Sequence, residues 1–260
     1  MKTLFVFTFV TTCLAGIASA DPISFSAAEG YSIGPLDGQP GVGSWSCTSN
    51  VSNSIFTVSL FAMAPHQDLL RVEISNEHGP STEPVTPDYA TKRMVPVTGA
   101  FEAVFSCRLN GQALTTDQSA IALGQTADSG WGPYFGLNKT SARSLAVYEG
   151  DDWTELVADL NASAWYDVEV TGDVGTGQFS VKVYDEGPHN ANPSLGLLYE
   201  GTHSFRDSPT ALTYVMLTNE GSGKDTSGGN HTYDDLDLTP EPSSLCVLAI
   251  GAIVRLRRRT

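Results

Sequence analysis

Positive charge is scarce in this chain: 14 lysines and arginines stand against 29 aspartates and glutamates in 260 residues. Five of the basic residues sit near the ends (Lys2, Arg255, Arg257, Arg258 and Arg259), so residues 21–240 hold 9 basic and 28 acidic side chains, a net charge of −19. A body so acidic is repelled by nucleic acid and by anionic lipid, and neither is expected as a partner. Its acidity has two readings, solubility and cation binding. Charge of either sign is also sparse, 17% of residues against about 25% in ordinary soluble domains, which disfavours exposed helices laced by ion pairs. Helical periodicity is missing too, and no stretch promises a helix longer than two turns. Neither terminal apolar run reaches the roughly 18 residues of a membrane-spanning helix.

Familiar catalytic signatures are equally lacking. The five histidines, His66, His78, His189, His203 and His231, are scattered singly without metal-ligand spacing, so zinc is poorly supported. There is no Gly-x-Ser-x-Gly elbow, phosphate loop or dinucleotide fingerprint. No internal repeat or low-complexity linker divides the body, so one domain is the economical reading.

What the body does contain is alternation. In "FEAVFSCRLN" the residues Phe101, Ala103, Phe105, Cys107 and Leu109 fall on one face, the pattern of a half-buried strand. "QFSVKVYDEG" repeats it with Phe179, Val181 and Val183, and "WYDVEV" with Tyr166, Val168 and Val170. Further strands are expected at "IFTVSLFAM", "LLRVEIS", "SAIALG", "YFGLN", "SLAVYEG", "TELVADL", "LLYEGTHSF", "ALTYVMLTN" and "TYDDLDL". Short strands separated by Gly, Pro, Asn and Asp turns predict an all-β, two-sheet antiparallel β-sandwich.

The ends carry addresses. Lys2, an apolar stretch to about Gly16 and the small-x-small Ala18-Ser19-Ala20 form a secretory signal over residues 1–20, with cleavage expected before Asp21. At the other end Pro240-Glu241-Pro242 precedes an uncharged run from Leu245 to Val254 and then the arginine cluster. That order and position resemble a PEP-CTERM sorting signal. The resemblance covers the last 21 residues and implies export by a bacterium, transient membrane anchoring through the tail, and recognition by an exosortase. The expected division is signal peptide 1–20, sandwich 21–239 and sorting tail 240–260. Export places the body in an oxidising compartment. Of the four cysteines only Cys47 and Cys107 lie in it, which makes them the candidate disulfide.

A second resemblance rests on "ISFSAAEGYSIGPLDGQPGVGSW", "NASAWYDVEVTGD" and "NHTYDDLDLTPEP". These look like laminin-G or concanavalin-A-like jelly rolls of exported bacterial proteins. The likeness implies that the first and last strands lie side by side and that a Trp-Tyr pair opens a late core strand. Retaining glucanases of this fold carry closely spaced acids on one strand, about 5 Å apart as nucleophile and acid/base. The nearest stretch, "EGDDWTE" with Glu149, Asp151 and Glu155, is one residue too long and reads as a hairpin turn. Catalysis is therefore not the favoured reading.

Two constellations remain. The tryptophans Trp45, Trp131, Trp153 and Trp165 offer flat faces for sugar rings or for core packing, and Trp131 with Tyr134 in "DSGWGPYFGLN" is the candidate ligand-binding pair, since Gly130 and Gly132 leave Trp131 room for exposure. In "TYDDLDL", Leu236 and Leu238 are assigned to the core and Asp235 and Asp237 to the outside. With Glu29 near the first strand they form either a solvated acidic face or a structural calcium site of hard oxygen ligands. The expected function is a cell-surface or matrix protein that binds extracellular polysaccharide without catalysis. The alternative is a glycosidase or lyase on a jelly-roll fold with an unrecognised site.

Overall fold

The computed structural model describes residues 30–39, 44–48, 56–60, 70–74, 88–109, 118–162, 164–185, 196–219 and 231–240. The signal peptide, Glu29, and the tail from Glu241 onward, including Pro242, lie outside the described residues.

The strands follow one another as β1 (Gly34–Pro35), β2 (Ser46–Thr48), β3 (Phe56–Leu60), β4 (Leu70–Ile74), β5 (Asp88–Val97), β6 (Ala100–Leu109), β7 (Ser119–Gly124) and β8 (Trp131–Leu137). After them come β9 (Leu145–Glu149), β10 (Asp152–Val157), β11 (Trp165–Asp173), β12 (Gln178–Asp185), β13 (Gly196–Ser204), β14 (Leu212–Asn219) and β15 (His231–Pro240). No helix occurs among the described residues. One sheet of eight runs β1-β3-β4-β15-β6-β11-β12-β13 and a second of seven runs β10-β9-β8-β7-β14-β5-β2. All pairings are antiparallel. The expected all-β sandwich of jelly-roll type is the observed one.

The alternation read in β6 sets the core. Phe101, Ala103, Phe105, Cys107 and Leu109 are all at most 3% exposed, and they meet Phe135 of β8 and Phe179 of β12 between the sheets. Phe105 packs on Phe135 with ring centroids 5.4 Å apart, and Phe135 meets Phe179 edge-on at 5.7 Å. Each such side chain contributes roughly 1.5–3 kcal/mol by leaving water. Trp165 and Tyr166 open β11 and are buried, and Leu236 and Leu238 face the core.

One expectation needs correction. No disulfide links Cys47 and Cys107. Cys47 lies on β2, the outer edge of the seven-stranded sheet, whereas Cys107 lies on an inner strand of the facing sheet, and packed sheets stand about 10 Å apart. The Cys47 thiol is instead pushed up to about 12, by burial and then by the charge of Asp37. The first strand expected beside the last, in "ISFSAAE", falls on residues outside those described; β15 pairs with β6 and, through His231–Tyr233, with β4. Strand β5 is not evident from the sequence, because Lys92, Arg93 and Pro96 interrupt its pattern. Lys92 is nonetheless buried, its ammonium donating to the Tyr31 hydroxyl at 2.7 Å beneath the Trp45 ring.

Candidate functional site

The seven-stranded sheet is apolar on both faces. Along β8, Phe135 and Leu137 enter the sandwich, so by the twofold alternation of a strand Tyr134 points out of it. Around Tyr134 a second cluster gathers on this outer face: Ala120 and Ala122 from β7, Trp131 from β8 and Met216 from β14, with Tyr89, Tyr148 and Trp153 packed against them. That is why every residue of β7 and β8 is buried, where a sheet with one wet face would alternate.

The aromatic rings form a connected set. Tyr148 and Trp153 are direct cross-strand partners on β9 and β10, edge to face at 5.1 Å. Trp153 meets Tyr134 at 5.4 Å, and Tyr134 meets Trp131 at 6.3 Å. Such pairs add about 0.5–1.5 kcal/mol each beyond burial. Small residues make the floor. A Cβ on Gly124 would fall 2.3 Å from the Trp131 ring, and one on Gly136 would fall 2.7 Å from Trp153, so both indoles lie directly on bare backbone. The hairpin that delivers Trp153 turns through Gly150, at φ +61°, between the paired Glu149 and Asp152.

Arg206 caps this surface. Its guanidinium carbon stands 4.9 Å above the Tyr134 ring and 4.6 Å above Tyr148. The segment "SFRDS" places it there. Phe205 is buried against Phe101 and Phe179, the Arg206 amide donates to the Gly132 carbonyl at 3.2 Å, and Asp207 clasps Trp131. In that clasp the Asp207 amide donates to the Trp131 carbonyl at 2.7 Å, and the Trp131 amide donates to the Asp207 carboxylate at 2.7 Å. Lys139 adds a second cation on the same face, its ammonium 5.2 Å above Trp153 and 3.5 Å from the Gln118 amide oxygen.

The structure brings Trp131 and Tyr134 together, but on a strand and buried, at 6% and 5% exposure, under Arg206 and neighbouring rings. The expected open loop is absent because Gly124, rather than Gly130 or Gly132, accommodates the indole. Trp45 and Trp165 are buried at 2% and 0% exposure and offer no face to a ligand. Tyr148, Arg206 and Lys139 were not singled out by sequence reasoning. Tyr148 carried a signal, since it stands out of phase with the inward Leu145 and Val147. Arg206 carried none, as it lies outside any strand.

The acids of "EGDDWTE" do not converge. Tyr148 and Trp153 face outward as a pair, so Glu149 turns inward and Glu155 outward. Glu149 accepts from His203 Nδ1 at 3.0 Å, while Glu155 accepts from the hydroxyls of Thr140 and Ser141 at 2.7 Å each. Burial pushes the Glu149 carboxyl up, but hydrogen bonding and charge from His203, with the Ser204 amide and Thr154, outweigh it and hold the group below its ordinary range. Two carboxylates on opposite faces cannot share one glycosidic bond.

For calcium the described residues supply two of the three expected donors, Asp235 and Asp237, with Glu29 outside them. Asp235 occupies a bulge of β15 in the left-handed conformation, at φ +49°, and Asp237 accepts from the Thr239 hydroxyl at 3.2 Å. No group of three metal-binding side chains occurs among the described residues. Of the sorting triplet only Pro240 is described, as the last residue of β15.

No family model matches the chain, and no curated protein matches it. Solved structures do. The catalytic domain of a glycoside hydrolase family 131 protein from Coprinopsis cinerea is similar with a TM-score of 0.53 and 11% identity, over 85% of this chain and 98% of that one. Lectin I from Ulex europaeus, in complex with the methyl glycoside of α-L-fucose, aligns with a TM-score of 0.48 and 9% identity, over 80% and 96% of the two chains. An alginate lyase of polysaccharide lyase family 7 aligns with a TM-score of 0.46 and 13% identity, over 80% and 92%. At these identities what is shared is the sandwich fold.

Proposed function

We propose that this chain is an exported bacterial surface or matrix protein whose sandwich binds polysaccharide, without catalysis, on the outer face of its seven-stranded sheet. One observation carries the reading: a sheet that has already spent its inner face on the core holds Trp153, Tyr148 and Arg206 on the other, each half-buried, above a floor of glycine and alanine. Sugar rings present apolar C–H faces and peripheral hydroxyls, which match flat aromatic rings beside hydrogen-bond donors. The separation of Glu149 from Glu155 weighs against hydrolysis at this hairpin. The signal peptide and the Pro240-Glu241-Pro242 tail belong to the same reading, as the route by which an exosortase would place the protein at the cell surface.

Affinity electrophoresis of the mature protein through gels holding neutral or acidic polysaccharides tests the binding. Retardation by at least one polysaccharide, lost in Trp153→Ala while circular dichroism shows the variant still folded, is the expected result. Unretarded migration in every gel overturns it.

A further inference from the structure

We infer that the polysaccharide this face takes is acidic, with a sugar carboxylate paired to the Arg206 guanidinium; the inference rests on the binding reading above. Arg206 is half-buried, and its guanidinium touches the rings of Tyr134 and Tyr148, yet among the described residues no carboxylate or carbonyl accepts from it. In a body where acids outnumber bases 28 to 9, an arginine held in place without an anion is out of keeping. The adjacent acid, Asp207, is turned to the Trp131 amide instead.

The geometry explains what is left over. The guanidinium carbon rests against two tyrosine rings whose centroids are 6.0 Å apart, contacts that use none of its N–H groups in a hydrogen bond to an oxygen, and those groups are the fork that a carboxylate meets with two parallel hydrogen bonds. The backbone bond from Arg206 to Gly132 and the Asp207–Trp131 clasp fix the side chain's root before any ligand arrives, so less entropy is lost on pairing. Lys139 puts a second positive charge on the same face, beside Trp153. The overall charge of −19 opposes an anionic chain at long range, but at physiological salt it is screened beyond about 8 Å, while contacts within the face are not.

The test uses uronate oligosaccharides, of galacturonate, glucuronate and mannuronate, each paired with its carboxyl-reduced neutral counterpart, and calorimetry on the mature protein. The wild type is expected to bind at least one uronate oligomer about tenfold more tightly than its neutral counterpart, equivalent to ~1.4 kcal/mol. Arg206→Gln should erase that preference, so that the charged and neutral members bind alike, and Arg206→Lys should restore part of it. Trp153→Ala should weaken both members of the pair. Equal affinity for charged and neutral members, unaltered in Arg206→Gln, overturns the acidic-ligand inference and leaves the binding face standing. Binding of neither member of any pair overturns both.

Discussion

His231 is enclosed between the sheets, and its hydrogen bonds decide its charge. Asn138 spends its amide oxygen on the Arg143 N–H at 2.7 Å, so the Asn138 NH2 is what faces His231 Nε2 at 3.4 Å. Nε2 must then accept, and Nδ1–H donates to the Ser119 hydroxyl at 2.6 Å, which in turn meets the Tyr233 hydroxyl at 2.8 Å. A second proton would set donor against donor. Burial, and then the charge of Lys139, push the imidazole down to about 3. The unfolded chain takes up this proton near pH 6.5 and the folded protein does not, so stability is full above that pH and falls as pH drops toward 3. The loss is at most about 1.4 kcal/mol per pH unit. Urea melts between pH 6.5 and 5, above the range of ordinary carboxylates, should show the slope in the wild type. His231→Gln should be less stable at pH 7 yet flat across that window. An unchanged slope in the variant would mean that another group takes up the proton.

Among the elements, β15 shows how an acid can serve the backbone of a strand. Between the pairs Asp234–Ser106 and Asp237–Val104 its register shifts, and Asp235 absorbs the extra residue at φ +49°. Asp tolerates that conformation and a β-branched residue does not. Asp235→Gly should therefore lie within ~0.5 kcal/mol of the wild type, whereas Asp235→Val should cost more than about 1 kcal/mol. Melting curves with calcium and with chelator separate this role from ligation: a loss in Asp235→Gly that appears only with calcium present would make the carboxylate a metal ligand. The core phase of this strand, Leu236 and Leu238 inward, was legible because it is local, as were the faces of β6, β11 and β12. Strand β5 was not, since a buried Lys92 satisfied by Tyr31 looks polar in sequence. Nor was the outer aromatic face, which exists only because β10, β9, β8 and β7 are neighbours, a fact of pairing that no single strand records. Arg206 needed both that pairing and the Phe205 anchor.

At the scale of the molecule, 28 acids on one compact body repel one another, and folding draws them closer than they stand in the extended chain. Among the described residues ion pairs join Arg143 with Asp159 at 3.5 Å and Lys182 with Glu200 at 3.6 Å, both well exposed, and the partly buried His203 with Glu149. Exposed pairs contribute about 0–1 kcal/mol and cannot offset a field of this size. Screening can, because sodium chloride shortens the Debye length from about 30 Å at 0.01 M to about 3 Å at 1 M. The melting temperature at pH 7.5 should therefore rise across that salt range. At pH 4.5, where many of the carboxylates are protonated, the same salt range should move it less, since less net repulsion remains to be screened. Using chloride at both pH values keeps preferential-exclusion effects common to the two series, so the difference between them isolates charge. Salt-independent melting at pH 7.5 would mean that the acids are spaced widely enough for water alone to separate them, and that the composition serves solubility without a cost in stability.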